Sequence, residues 1–152
     1  MSLEQRLNDD LKTAMRDRDE LKLSVVRMLR SAVLLEKKKP HAPATVPDEV
    51  VIRLIQGHVK KVKEALEHAG KAGREDLAAA ARAELAVAEA YLPAALGDAE
   101  LAEIARAAVA ESGATGPAGM GAAMKAAMAR VQGRADGKRV QEAVRQVLAG
   151  GA

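Results

Sequence analysis

Residues 133–139 read Gly133-Arg134-Ala135-Asp136-Gly137-Lys138-Arg139, and they set three cations beside the chemistry that starts a helix. Gly133 can take the left-handed conformation that closes one helix, and Asp136 can cap the next. Lys138 and Arg139 would then occupy a first turn, where cations oppose the helix dipole. Exposed backbone N–H groups, a helix N-terminus and three cationic side chains together suit a phosphate. A capped turn with solvated charges accounts for the same residues equally well. Lys125 and Arg130, a little upstream, would extend a phosphate-gripping surface.

Other constellations offer less. His58 and His68 lie ten residues apart, and Glu64 precedes His68 by four, a possible metal pair without further ligands. His41 falls in a proline-rich stretch, and the serines (Ser2, Ser24, Ser31, Ser112) stand in no nucleophile-elbow context. No glycine pattern matches a nucleotide cradle. The carboxylate pairs Asp9-Asp10 and Glu75-Asp76 fall where helices place exposed acids. Met120, Met124 and Met128 recur every four residues; a methionine stripe can form a binding groove, but beside Ala123, Ala127 and Val131 it reads as core. Arg27 and Arg30, the run Lys37-Lys38-Lys39, and Lys60, Lys61 and Lys63 read as solvated faces or as further RNA-facing charge. Lys60 and Lys63 each have a Glu four residues on, Glu64 and Glu67, within pairing distance on a helix. The expectation is a protein without catalytic residues, metal or cofactor.

The elements that position these residues are helical. Of 152 residues, 49% are hydrophobic and 30% charged, a globular balance, with no Phe, no Trp and one Tyr (Tyr91). A core of Ala, Leu, Val and Met suits closely packed helices and gives a sheet little to build on. The absence of cysteine excludes disulfides and thiolate sites and fits a reducing cytoplasm. The start of the chain lacks a signal-peptide stretch, and no apolar run approaches membrane-spanning length. Ser2, with Gln5 three residues on, caps a first helix with the stripe Leu3, Leu7, Leu11, Ala14 and Met15. Asp19 starts a second, burying Leu21, Val25, Met28, Leu29 and Ala32 and ending at the lysine run before Pro40. The three prolines of residues 40–47 make an exposed loop. Pro47, or Asp48-Glu49, opens a third helix with Val51, Leu54, Ile55, Val62 and Leu66 inward, and Gly70 and Gly73 bracket a break. A fourth runs from about Glu75 to Tyr91 with Leu77, Ala81, Leu85 and Ala88, stopping at Leu92-Pro93. Asp98 caps a fifth helix with Leu101, Ile104, Ala105, Ala108 and Val109 on one face, ended by Gly113. Pro117 opens a sixth that runs to Gly133, and Asp136 caps a seventh burying Val140, Val144, Val147 and Leu148.

This reads as an all-α chain: a body of four helices over residues 1–92 and a three-helix tail over 93–152. Net charge is only +3, but the tail is polarised. Residues 93–115 carry one base, Arg106, against four acids; residues 116–152 carry six bases against two acids. With Tyr91 as the sole aromatic, stacking on single-stranded bases is poorly provided for. An RNA-binding role would therefore rest on phosphate contacts from Arg and Lys.

Three stretches carry a family likeness. They are Asp10-Leu11-Lys12-Thr13-Ala14-Met15-Arg16-Asp17-Arg18-Asp19 running into Leu23-Ser24-Val25-Val26-Arg27-Met28-Leu29-Arg30-Ser31-Ala32; then Ala72-Gly73-Arg74-Glu75-Asp76-Leu77 with Glu84-Leu85 and Tyr91-Leu92-Pro93; then Met120-Gly121-Ala122-Ala123-Met124-Lys125 with residues 133–138. In order and spacing the chain resembles the YqeY family, the GatB/YqeY-domain proteins, over nearly its whole length. The resemblance implies a multihelical fold related to the carboxy-terminal region of the B subunit of the glutamine-dependent tRNA amidotransferase, where the tail contacts the tRNA body. It carries an association with carbon–nitrogen ligase activity using glutamine as amide donor, although the carboxylate-activating cradle of that subunit and the separate glutaminase have no counterpart here. Ala122 departs from the pattern, which has Lys after Met-Gly, and this removes one cation from that side of the helix.

The expected function is a non-catalytic, cytoplasmic tRNA-binding accessory module, working beside an amidotransferase or an aminoacyl-tRNA synthetase, with neither membrane nor DNA as partner. Arg134, Lys138 and Arg139 would grip backbone phosphates, with Lys125 and Arg130 extending the contact. The alternative is a helical protein-interaction adaptor that never touches RNA.

Overall fold

A computed structural model describes residues 1–150 of the chain, so residues 151 and 152 of the expected tail lie outside the description. Seven α-helices are present and no strand among the described residues: α1 Leu3–Asp17, α2 Glu20–Lys37, α3 Asp48–Lys71, α4 Glu75–Glu89, α5 Asp98–Ser112, α6 Met120–Val131 and α7 Gly137–Leu148, with a single 3₁₀ turn over Pro117–Gly119 ahead of α6. Two compact units divide the chain, Met1–Leu92 and Pro93–Ala152.

Side-chain capping accounts for the starts of α1, α2 and α7. The Ser2 side chain accepts from the Gln5 amide while Gln5 reaches back to the Ser2 amide, a complete capping box. Asp19 accepts from the Lys22 amide at 3.1 Å. Asp136 accepts from the Arg139 amide at 2.8 Å. Each satisfies a donor that a helix start leaves orphaned. Asp98 does not cap α5. Gly97 occupies that position without a side-chain bond, and Asp98 is the first helical residue, its carboxylate turned to Arg139.

In the first unit, α3 packs along α4 and α1 along α2, with α2 also against α3 and α4. Leu7, Val25, Val26, Leu29, Val51 and Ile55 are nearly solvent-free at its centre. Four residues that the apolar stripes place in the core are instead exposed: Met15, Leu21, Met28 and Leu77. On α2 the reason is that the helix has two apolar faces. Val25, Val26, Leu29 and Val33 face the core, and Leu21 and Met28 lie on the other side. On α4, Ala78 is buried in place of Leu77. Ala32 is only partly buried. The proline-rich loop is not wholly exposed either, because Val46 is 1% exposed and belongs to the core.

The second unit is built on small residues. Ala105 and Ala108 of α5, Ala123 and Ala127 of α6, and Val140 and Val144 of α7 are almost fully buried. Ile104, Val109, Val147 and Leu148 border them, only partly covered. The connector between α5 and α6 is tight at Gly119, where a Cβ would fall 2.4 Å from that of Ala114. Gln132 and Gly133 are both left-handed and together close α6. No helix among the described residues is long and apolar enough to cross a membrane.

Candidate nucleic-acid interface

The connector carrying Arg134 is anchored to the segment that enters α5. The Arg134 carbonyl accepts from the Leu96 amide at 2.8 Å, and its Nε donates to the Ala94 carbonyl at 3.0 Å. Leu96 and Ala135 are buried on either side of this exchange. The guanidinium also lies 3.6 Å from Glu100. Arg134 is thus a structural staple as well as a cation.

Arg139 shows how the first turn of α7 tolerates a positive side chain. Its guanidinium donates to Asp98 Oδ1 at 2.9 Å. Asp98 sits in the first turn of α5, a favoured place for a carboxylate, and the same group neutralises the cation beside the N-terminus of α7. Lys138, next to it, has no ion-pair partner among the described residues. Arg130 donates through Nε and Nη2 to Glu111 Oε2 at 2.9 and 2.6 Å.

The acidic start and the basic end of this unit therefore meet. Three of the four acids in residues 93–115 pair with three arginines contributed by α6, the connector and α7. This contact between elements balances the first-turn cation at Arg139 that sequence alone leaves uncompensated, and Lys138 is left as the exception. Arg134 and Arg139 come together at the start of α5. Arg130 meets α5 near its other end, 13 residues from Asp98 along the sequence, about 20 Å at the helical rise. Lys125 is exposed on α6 and is tied to neither group.

These pairs leave all three arginine side chains more than a third exposed. Exposed ion pairs contribute only about 0–1 kcal/mol each, so a phosphate can take the place of a carboxylate at small cost. The surface offers oriented arginine forks with partly cancelled charge, plus two uncancelled lysines.

The methionine stripe is divided. Met120 and Met124 pack against the small-residue core, and Met128 is 39% exposed. In the first unit, Lys63 pairs across to Glu89 on α4 at 3.7 Å, and Glu67 pairs with Lys71, so the expected Lys63–Glu67 partnership is not formed. Lys37 donates to Glu4 at 2.6 Å, and Arg30 to Asn8 at 2.7 Å. The lysine run and the helix-two arginines are thus partly committed to internal contacts. His58 Nε2 is buried 3.1 Å from Glu84 on α4 without forming a hydrogen bond. No group of three or more potential metal ligands occurs among the described residues.

The family model described as Yqey-like protein matches residues 4–148. The chain belongs to the YqeY family. No curated protein matches it. Within this YqeY chain, two polar centres went unseen in the sequence because each joins residues far apart along it. Glu4 is the one buried charged residue described. Burial pushes its carboxyl up, but hydrogen bonds from Lys37 and the Val46 amide, with the Lys37 charge, outweigh that and hold it below the ordinary value. The second centre is Tyr91, whose hydroxyl donates to Asp10 while Arg6 lies over the ring at 4.5 Å from its centre. Burial, then the hydrogen bond to Asp10 and its charge, push the phenol well above its usual range, with Arg6 opposing. Both centres tie elements together within the first unit. The lone tyrosine of an otherwise aromatic-free chain was the available signal for the second.

Proposed function

We propose that this YqeY-family protein is a non-catalytic tRNA-binding accessory module that acts in the cytoplasm beside a tRNA-dependent amidotransferase or an aminoacyl-tRNA synthetase. The observation that carries the reading is the set of exposed cations on the second unit. Among the described residues Lys138 and Lys125 have no acid against them, and Arg130, Arg134 and Arg139 are held extended by α5 carboxylates that a phosphate can displace. Their spread along α5 exceeds what one phosphate can touch and suits the backbone of a folded RNA. The resemblance to the amidotransferase tail supplies the choice of tRNA and of partner enzyme.

The test is binding to total tRNA by fluorescence anisotropy across a salt series. Log affinity falls with log salt by roughly 0.7–0.9 per phosphate neutralised. The Lys125→Ala, Lys138→Ala double variant removes two unpaired charges without touching any internal bond, and its slope is expected to be shallower by about one to two. An Arg134→Ala, Lys138→Ala, Arg139→Ala variant is expected to lose about two to three, once its folding is verified because Arg134 is also a staple. Identical slopes for all three proteins would remove the second unit from RNA binding. Absence of binding at low salt would leave the protein-adaptor reading in its place.

A further inference from the structure

The outer face of α2 is an apolar seam without a partner. Leu21, Met28 and Leu35 are 44%, 51% and 65% exposed and recur every seven residues. Between them stand Ser24 and Ser31, also exposed, so large and small residues alternate at the three- and four-residue steps of a helix–helix seam. A shallow trough borders this seam on its serine side, lined by Glu20, Leu23, Ser24, Arg27, Met28 and Ser31. The same helix buries Val25, Val26, Leu29 and Val33 on its other side. A surface helix normally shows one apolar stripe, and α2 shows two.

We infer that this face is where two copies of the chain associate, α2 packing antiparallel on α2 of the second copy. Size and charge complementarity identify the occupant and its orientation. In an antiparallel pair centred between Met28 and Ser31, Met28 of each copy faces Ser31 of the other, and Leu35 faces Ser24. Met28 and Leu35 thus each enter a gap left by a serine, and Leu21 falls against the aliphatic stem of Lys38. Glu20, at the start of α2, falls opposite position 39 of the other helix, beside Lys38, which has no ion-pair partner among the described residues. A parallel pair would set Arg27 against Arg27, Glu20 against Glu20 and the two lysine runs side by side. Like charges so placed disfavour that arrangement. The seam lies within α2, whose 18 residues span about 27 Å, so the interface belongs to the small end of specific complexes and its occupancy depends on protein concentration.

Sedimentation velocity of the full chain over a wide concentration series tests this. The weight-average mass is expected to rise toward that of a dimer. Met28→Glu alters an exposed side chain and is expected to remain monomeric throughout, with an unchanged helical circular-dichroism spectrum. Glu20→Lys and Lys38→Glu are each expected to weaken association at least about threefold, and the double variant to restore it, because both swapped charges then meet opposite partners. A wild-type protein that stays monomeric at every concentration overturns the proposal, as does a dimer indifferent to both Met28→Glu and the charge swaps. A dimer abolished by Met28→Glu but not restored by the double swap overturns the antiparallel orientation.

Discussion

The Glu4 carboxylate accepts a hydrogen bond from the Val46 backbone amide at 2.7 Å, across 42 residues of sequence. Its other oxygen takes the Lys37 ammonium at 2.6 Å. One side chain near the start of α1 thus fixes the end of α2 and seats the loop before α3, with Val46 pressed into the core behind it.

Replacing Glu4 by Ala leaves a buried amide and a half-buried ammonium without their acceptor. The expected loss is about 1–3 kcal/mol of stability, read as a lower urea midpoint at neutral pH. A depressed folded-state pKa means that the unfolded chain takes up the proton more readily. The contribution is therefore complete above the ordinary carboxyl value of 4.5 and is lost as pH falls through the lower folded value. The stability difference between Glu4→Ala and wild type should narrow at strongly acidic pH, and a difference that stays undiminished there would refute this account.

Tyr91 is the sole aromatic residue, so ultraviolet absorbance of tyrosinate reports on it alone. Its raised pKa stabilises the fold below the ordinary value of 10.0, and that contribution disappears as pH rises beyond it. Ionisation should therefore coincide with unfolding in alkali. A separate tyrosinate transition near pH 10, with helicity intact, would contradict it. Tyr91→Phe keeps the buried ring and loses the bond to Asp10, for an expected cost of about 1–3 kcal/mol.

Asp98→Asn frees Arg139 from its carboxylate while retaining the side-chain shape. On the RNA-binding proposal, tRNA affinity at low salt should rise by up to about fivefold, the worth of one exposed ion pair. Anisotropy against total tRNA measures it, and unchanged or weaker binding would argue against phosphate contact at the start of α5.

Gly119→Ala places a methyl group 2.4 Å from the Ala114 Cβ. The connector between α5 and α6 has to shift to admit it. A loss of about 1–3 kcal/mol is expected, seen as a lower melting temperature with secondary structure retained below the transition.

The starts of α1, α2 and α7 were legible in the sequence because capping is local: Ser2 with Gln5, Asp19 and Asp136 act within three residues of themselves. Asp98 misled because the same residue type can cap its own helix or answer a distant arginine, and Arg139 lies 41 residues away. The buried stripes of α1, α3 and α5 followed helical spacing closely, apart from Met15 at the end of α1. On α2 two apolar faces competed, and periodicity alone cannot say which meets the core. The five cations of the proposed RNA contact were visible in the sequence, whereas the pairing of Arg130, Arg134 and Arg139 with α5 depends on how three helices meet and became visible only in three dimensions.

The alanine contacts among α5 and α6 have a thermal consequence. Ala105, Ala108, Ala123 and Ala127 place methyl groups where other folds bury leucine or phenylalanine, so melting this unit brings comparatively little hydrocarbon into water. The heat-capacity increment of unfolding scales with that newly wetted apolar area. This unit accordingly has a flatter curve of stability against temperature than a leucine-rich bundle of equal length, changing less on cooling and on moderate warming alike.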